Sequence, residues 1–270
     1  MGVRGIPTSI GELGMNWKER SVVTKNKALH SVLFGVFGEI NKLDLVRLGT
    51  SYGGWFTPKD LLEFQGPKSL ISAGIGFDVS FDVKMASNGF KVVMVDVDIE
   101  CCEFAKRNFQ NHNGIKVLLG AVSDSDEDVI LYSNSQSRVG RWGLDRRKGD
   151  FEVKRFPAIT LNKLLEESYF SSSKPVVYLK MDIEGSESKI YKDIGYRSNE
   201  IAFLAIEIDY LSNLEVKRVY EFVKRFFTTF FSFRSLKKSG FTLIKYEDSN
   251  FYWRNSRFIN ESGELSLEKA

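Results

Sequence analysis

Three carboxylates in the second half of the chain stand where an acid could do chemistry. Asp182 and Glu184 lie just past the apolar run Val176 to Met181, and Asp209 follows the run Ile201 to Ile208. Both runs are predicted as buried strands. Acids carried to the carboxyl ends of strands in an open α/β sheet face the crevice where ligands bind. A carboxylate there can take a proton from an acceptor hydroxyl as general base. It can also join a divalent cation, but this spacing specifies no coordination geometry, so the metal stays open. Each position has a plainer use too. Glu184 suits a helix N-terminus through the helix dipole, Glu187 suits a solvated or capping position, and Lys180 can simply pair with an acid. The two histidines, His30 and His112, fall at no predicted strand end. Acid–base work is therefore expected from the carboxylates.

A second group concerns a bound nucleoside. The first strand of the regular region ends Ser72-Ala73-Gly74-Ile75-Gly76-Phe77-Asp78, and Asp96 ends the next strand. Glycines let backbone approach a ligand with no Cβ in the way. An acid at the neighbouring strand end can accept both ribose hydroxyls. Nicotinamide dinucleotide enzymes use a related arrangement, with a third glycine where this chain has Val79. A pyrophosphate ligand is thereby disfavoured against one without phosphate, such as S-adenosylmethionine. The base is expected around Val97 and the segment holding Ala121, Val122 and Asp124. There an apolar side chain can cover its face and an acid or backbone group can take its amino group.

Strand–helix alternation must position these residues. Ser69 to Ile75, Lys91 to Asp96, Ile115 to Val122, Val176 to Met181 and Ile201 to Ile208 read as strands. A helix over 78–88 is expected to bury Val79, Val83 and Ala86. Asp98 is placed to cap a helix whose inner face is Cys102, Ala105 and Phe109. Ser212-x-x-Glu215 is a capping-box pattern opening a helix with Leu214, Val219, Val223 and Phe226 inward. Near the N-terminus, Val32, Leu33, Val36 and Ile40 share a helical face. Phe241 to Tyr246 and Tyr252 to Ile259 predict a terminal antiparallel hairpin. The expected fold is α/β and Rossmann-like, with a mostly parallel central sheet covered on both faces.

The run Lys180-Met181-Asp182-Ile183-Glu184-Gly185-Ser186-Glu187 resembles the signature of the FkbM family of methyltransferases, K-x-D-x-E-G-x-E after a buried strand. Other segments follow in the order that family shows. Gly74 to Asp82 resembles its cofactor turn, and Ala121-Val122-Ser123-Asp124 the segment after its third strand. Ile159-Thr160-Leu161 resembles the lead into the next helix, and Ile206-Glu207-Ile208 the next strand end. Arg47-Leu48-Gly49 with Tyr52-Gly53-Gly54-Trp55 resembles a glycine-rich lead-in of one branch. The likeness runs from about Arg47 to about Ile259. It implies a class I methyltransferase fold and S-adenosyl-L-methionine as cofactor. It places Gly74, Gly76 and Asp78 in the cofactor turn. It also implies methyl transfer to oxygen on a sugar, glycan or other small acceptor. Two positions depart from the pattern: Ser72 stands where the family often has an acid, and Glu207-Ile208-Asp209 replaces a frequent Glu-x-His.

Composition narrows the field. With 270 residues and 43% hydrophobic content, one well-cored domain suffices. We divide the chain into an N-terminal, partly helical extension over 1–46 and a methyltransferase domain over 47–270. Lysine and arginine number 38 against 35 acids, a net charge of +3, so no nucleic-acid partner is expected. No stretch has the apolar length of a membrane span. Cys101 and Cys102 are adjacent, ill placed for a mutual disulfide. A cytoplasmic location fits. The loop 133–150 gathers Arg138, Arg141, Arg146, Arg147 and Lys148 around Trp142, a setting for a sugar face or an anionic acceptor. The competing readings are an NAD(P)-dependent oxidoreductase and a non-catalytic binding protein that keeps the fold.

Overall fold

The computed structural model describes residues 30–39, 43–110, 112–134, 142–143, 151–169, 174–183, 187–208, 219–260 and 265. A helix over 30–37 (α1) leads to the hairpin β1 (Leu45–Leu48) and β2 (Trp55–Pro58), followed by α2 (Lys59–Glu63). Two strand–helix units and a third strand then follow. They are β3 (Lys68–Ala73) with α3 (Ser80–Ser87), β4 (Lys91–Asp96) with α4 (Ile99–Asn108), and β5 (Ile115–Leu119). A smaller unit follows: β6 (Ala121–Ser123), β7 (Val129–Asn134), β8 (Trp142–Gly143), β9 (Phe151–Phe156), β10 (Ala158–Thr160) and α5 (Leu161–Ser168). The chain returns through β11 (Val176–Met181), α6 (Glu187–Tyr196), β12 (Ile201–Glu207) and α7 (Val219–Lys238). It closes with β13 (Phe241–Glu247) and β14 (Asn250–Asn255).

The central sheet has seven strands in the order β13-β14-β12-β11-β3-β4-β5. The pairs from β12 to β5 are parallel, and β14 runs antiparallel to both β12 and β13. This is the Rossmann-like α/β sheet with a terminal antiparallel hairpin that the patterning predicts. Strands buried on both faces read as continuous apolar runs, which is why β3, β4, β11 and β12 are plain in the sequence.

Alternate residues of these strands supply two cores. On one face Ile71, Val93, Val95, Leu179 and Leu204 pack under α1, α5, α6 and α7. On the other, Leu70, Val92, Met94, Tyr178 and Phe203 pack under the β1–β2 hairpin, α3 and α4. Leu33 and Phe37 of α1 belong to the first core, and the Glu39 amide donates to the Leu243 carbonyl at 3.0 Å. Residues on both sides of position 46 thus share packing with the main sheet.

Several local expectations change. The buried face of α1 is His30, Leu33 and Phe37, while Val32 and Val36 are exposed; Ile40 lies outside the described residues. The inner face of α3 is Phe81, Asp82 and Met85, with Val83 and Ala86 only partly buried. Helix α3 starts at Ser80, because the Asp78 carboxylate accepts from the Ser80 amide and holds the preceding residues in a turn. The expected strand Ile115 to Val122 breaks at Gly120, after which β6 leaves the sheet to pair with β10. A Cβ at Gly120 would lie 2.8 Å from the backbone oxygen of Pro157, so this crossing favours a glycine. Asp98 caps α4 as expected, accepting from the Glu100 amide at 2.9 Å. Val223 is exposed rather than inward. The box Ser212 to Glu215, with Leu214, lies outside the described residues.

Candidate functional site

Strand order reverses between β3 and β11, the place where open α/β sheets bind ligands. A cleft of about 750 Å³ opens there over the carboxyl ends of the strands. Its floor is the glycine turn after β3. Gly74 has φ +77° and Gly76 φ +60°, both in the left-handed region that favours glycine. A Cβ on Gly74 would sit 1.7 Å from the backbone oxygen of Asp182, so the turn touches the end of β11. A Cβ on Gly76 would meet nothing within 4 Å.

Asp96, at the end of β4, organises the turn. One carboxylate oxygen accepts from the amides of Ile75 at 2.8 Å and Gly76 at 3.2 Å, and the other from the Asp98 amide at 2.8 Å. A carboxylate has about four lone-pair sites, so capacity remains for a ligand hydroxyl. Val97 follows on the cleft wall. Gly120, Ala121, Val122, Leu131 and Trp142 complete an apolar end. Trp142 is buried on Phe156, ring centroids 4.9 Å apart. It stands on the short strand β8 and lines the cleft; the basic residues Arg138, Arg141, Arg146, Arg147 and Lys148 lie outside the described residues. Asp124 is exposed and is not in the cleft lining, because the chain turns outward after β6.

The loop joining β1 and β2 covers the other side. Thr50 donates through its hydroxyl to Asp78, and its amide donates to Ser80 Oγ at 2.9 Å. The Gly53 amide donates to Thr50 Oγ1 at 3.0 Å, and a Cβ on Gly53 would collide with Asp78. Burial raises the Asp78 pKa, but hydrogen bonds from Ser80, Thr50 and Gly53 outweigh it and hold the carboxyl below its usual value. Asp78 lines the cleft with both oxygens already engaged, clamping loop to turn.

Behind the turn lies a buried charged group. Lys180 is 4% exposed, donates to the Gly74 carbonyl at 2.6 Å, and places its ammonium 5.2 Å from the centre of the Trp55 ring. Asp82 of α3 is buried nearby. Burial holds its carboxyl above the usual range, against the pull of the Lys180 ammonium and the Ser72 hydroxyl. Ser72, where the resembled pattern often has an acid, therefore has a carboxylate behind it contributed by the following helix.

The remaining end of the cleft is acidic. Asp182, Glu207, Glu247 and Asp248 line it with Asn250 and Arg47. Arg47 pairs with Glu247 and also donates to the Ser51 carbonyl at 3.1 Å. Ser249 donates to Glu207 Oε1 at 2.8 Å. The Asp182 amide donates to the Ala73 carbonyl at 2.9 Å, fixing it beside the turn. Glu187, one candidate for a solvated acid, is 1% exposed and accepts from the Ile183 amide at 3.2 Å. Glu184 and Asp209 lie outside the described residues.

Gly74, Gly76, Asp78, Asp96, Val97, Ala121, Val122 and Asp182 thus meet in one cleft. Sequence reasoning assigned no site role to Leu131, Glu207 or the 247–250 turn, and read Lys180 only as a partner for an acid. For Glu207 a signal existed: it is the acid of the run Ile206-Glu207-Ile208 near the end of a predicted strand, two residues before Asp209. Among the described residues no three His, Cys, Asp or Glu side chains gather as a metal-binding group. Cys101 and Cys102 are free and buried, and burial with the nearby Asp96 carboxylate pushes the Cys102 thiol up to about 12.

The fold and this cleft define a Rossmann-like α/β protein with a ligand crevice at its topological switch point. No family model matches the chain, and no curated protein matches it. Solved structures that the chain matches include a Staphylococcus aureus protein provisionally named a caffeoyl-CoA O-methyltransferase. It has 9% identity and a TM-score of 0.40, over 89% of this chain and 100% of that one. The METTL16 methyltransferase domain has 15% identity and a TM-score of 0.37, over 94% and 83%. The human methyltransferase 10 domain containing protein has 14% identity and a TM-score of 0.35, over 94% and 99%. At such scores none of these likenesses assigns a reaction or an acceptor to the chain.

Proposed function

We propose that the chain is an S-adenosyl-L-methionine-dependent methyltransferase acting on a hydroxyl of a sugar, glycan or other small molecule. The observation that carries this reading is the bond between Asp96 and the glycine turn at the switch point of the sheet. The turn is open above Gly76, where a ligand backbone or chain can lie against it. Asp96 keeps acceptor capacity for ribose hydroxyls. Val97, Ala121, Leu131 and Trp142 form an apolar slot suited to adenine. The absence of a third glycine at Val79 argues against a dinucleotide.

The sulfonium of the cofactor supplies an electrophilic methyl group. The chain's own work is to hold an acceptor oxygen in line and to remove its proton. Asp182 is at the junction of turn and acidic end, and we assign it the role of general base. Glu184 and Asp209 are proposed to support it. Positioning supplies much of the remaining acceleration. The cluster of Asp182, Glu207 and Asp248 disfavours a phosphate-rich acceptor and suits hydroxyl donors, which supports a small neutral or glycan acceptor over nucleic acid.

Calorimetric titration with S-adenosylhomocysteine tests the cofactor assignment. Binding is expected, and Asp96→Ala should weaken it by about one to two orders of magnitude, the worth of one or two charge-assisted hydrogen bonds. Preference for NAD would overturn it.

A further inference from the structure

The outward side of α7 has a composition that neither core nor cleft requires. From Val223 to Lys238 the helix carries no acid, and its Lys224, Arg234, Lys237 and Lys238 are exposed. Phe226, Phe230 and Phe233 face the core. Val223, Phe227 and Phe231 recur every four residues on the opposite side and are 41%, 50% and 58% exposed. The Phe227 and Phe231 rings stack on one another, centroids 6.2 Å apart. Helix α1 packs beside this segment through Phe37, whose ring lies 5.1 Å from Phe230, and it exposes Val32 and Val36. Helix α6 also packs against α7 and exposes Lys189, Lys192 and Tyr196. Among the side chains described on these three helices, the acids are Glu187, which is buried, and Asp193, which is partly buried.

Exposed rings gathered on one helix face are unusual on a water-facing surface. Flanked by cations, with no exposed acid among the side chains described on these helices, they match a bilayer with anionic headgroups. The rings enter the headgroup–acyl boundary, and the ammonium and guanidinium groups meet lipid phosphates and carboxylates. A single-stranded nucleic acid would instead need a charged groove with separate aromatic faces for its bases. Here the rings stand on a convex helix and cover each other. Among the described residues no helix is long and apolar enough to cross a membrane.

We infer that the outward face of α7, with the exposed valines of α1 beside it, docks on the surface of an anionic lipid bilayer without crossing it. The attachment is independent of the methyl-transfer reading. It keeps the enzyme body at a lipid surface whatever occupies the cleft.

Cosedimentation of the full chain with vesicles tests this. Binding is expected to phosphatidylcholine vesicles containing phosphatidylserine and not to phosphatidylcholine alone, and it should weaken with added salt. Lys237→Ala with Lys238→Ala should lower the partition about thirtyfold together. Phe227→Ser and Phe231→Ser should lower it about tenfold each. Unchanged thermal unfolding midpoints show that these variants remain folded. Failure to bind the anionic vesicles overturns the proposal, as does equal binding to neutral ones. So does a concentration-dependent dimer lost in the Phe variants, which would make this face a contact between copies. Binding to a single-stranded RNA oligonucleotide that these substitutions abolish, with vesicle binding unaffected, also overturns it.

Discussion

Gly74→Ala and Gly76→Ala should separate the two duties of the glycine turn. Both positions have positive φ, which costs a residue with a Cβ about 1 kcal/mol. At Gly76 the new methyl meets nothing, so that strain is the whole expected cost to the empty protein. At Gly74 the methyl would lie 1.7 Å from the Asp182 carbonyl oxygen, and the gap must double to reach 3.4 Å, the start of ordinary contact. The obstacle is backbone on both sides, so no rotamer relieves it. Moving β11 away from the turn would break the hydrogen bond from the Asp182 amide to Ala73, worth about 1 kcal/mol. Overpacking adds about 2 kcal/mol. The total for Gly74→Ala is about 4 kcal/mol. For a chain of this size that lowers the thermal midpoint by about 10 °C, against about 3 °C for Gly76→Ala. Thermal unfolding followed by circular dichroism measures both. S-adenosylhomocysteine titration should show weakened binding in each variant, because the Gly76 methyl occupies the open space above the turn. Equal midpoints for the two variants would refute the close approach of turn and β11.

Three further outcomes are expected. Asp182→Asn should lower turnover on the true acceptor about a hundredfold while S-adenosylhomocysteine affinity changes little; near-normal turnover would remove Asp182 from the chemistry. Lys180→Met should destabilise the fold by about 2 kcal/mol by leaving the Gly74 carbonyl without its charged donor; urea unfolding of parent and variant decides. Asp78 titrates below its usual value when folded, so its stabilising contribution is present at neutral pH and is lost as pH falls through that depressed pKa. Thr50→Val removes one donor and moves the folded pKa back up. The stability gap between parent and variant should therefore shrink as the solution is acidified through the carboxylate range.

Much of the central sheet was readable because β3, β4, β11 and β12 are buried on both faces and therefore appear as unbroken apolar runs. The Asp98 cap and the glycine turn were readable because each follows from local backbone needs. The faces of α1 and α3 were not. His30 and Asp82 are buried polar residues whose burial depends on partners remote in sequence: Phe251 packed on the imidazole, and Lys180 near the carboxylate. Hydropathy spacing assigns such positions to water. The burial of Trp142 was unreadable for a related reason. Its neighbours in sequence are basic, but its packing partner Phe156 comes from β9, a strand the patterning did not anticipate. Asp124 was drawn into the base site by adjacency to β6, while the turn after β6 carries it outward.

The sheet order also bears on how the chain is made. Strand β14 is the last of the seven central strands to be synthesised, yet it lies inside the sheet, between β12 and β13. Until Asn250 to Asn255 have left the ribosome, β12 presents an open edge and β13 has no partner through which to reach it. Domains generally fold as units, so the sheet waits for its last strand. Here the earlier strands can assemble, but the face formed by Phe251 and Trp253 stays missing. An interrupted copy displays an unpaired parallel edge, the kind of surface that recruits other chains. The central sheet can therefore close only once its last strand, Asn250 to Asn255, is available to insert between β12 and β13.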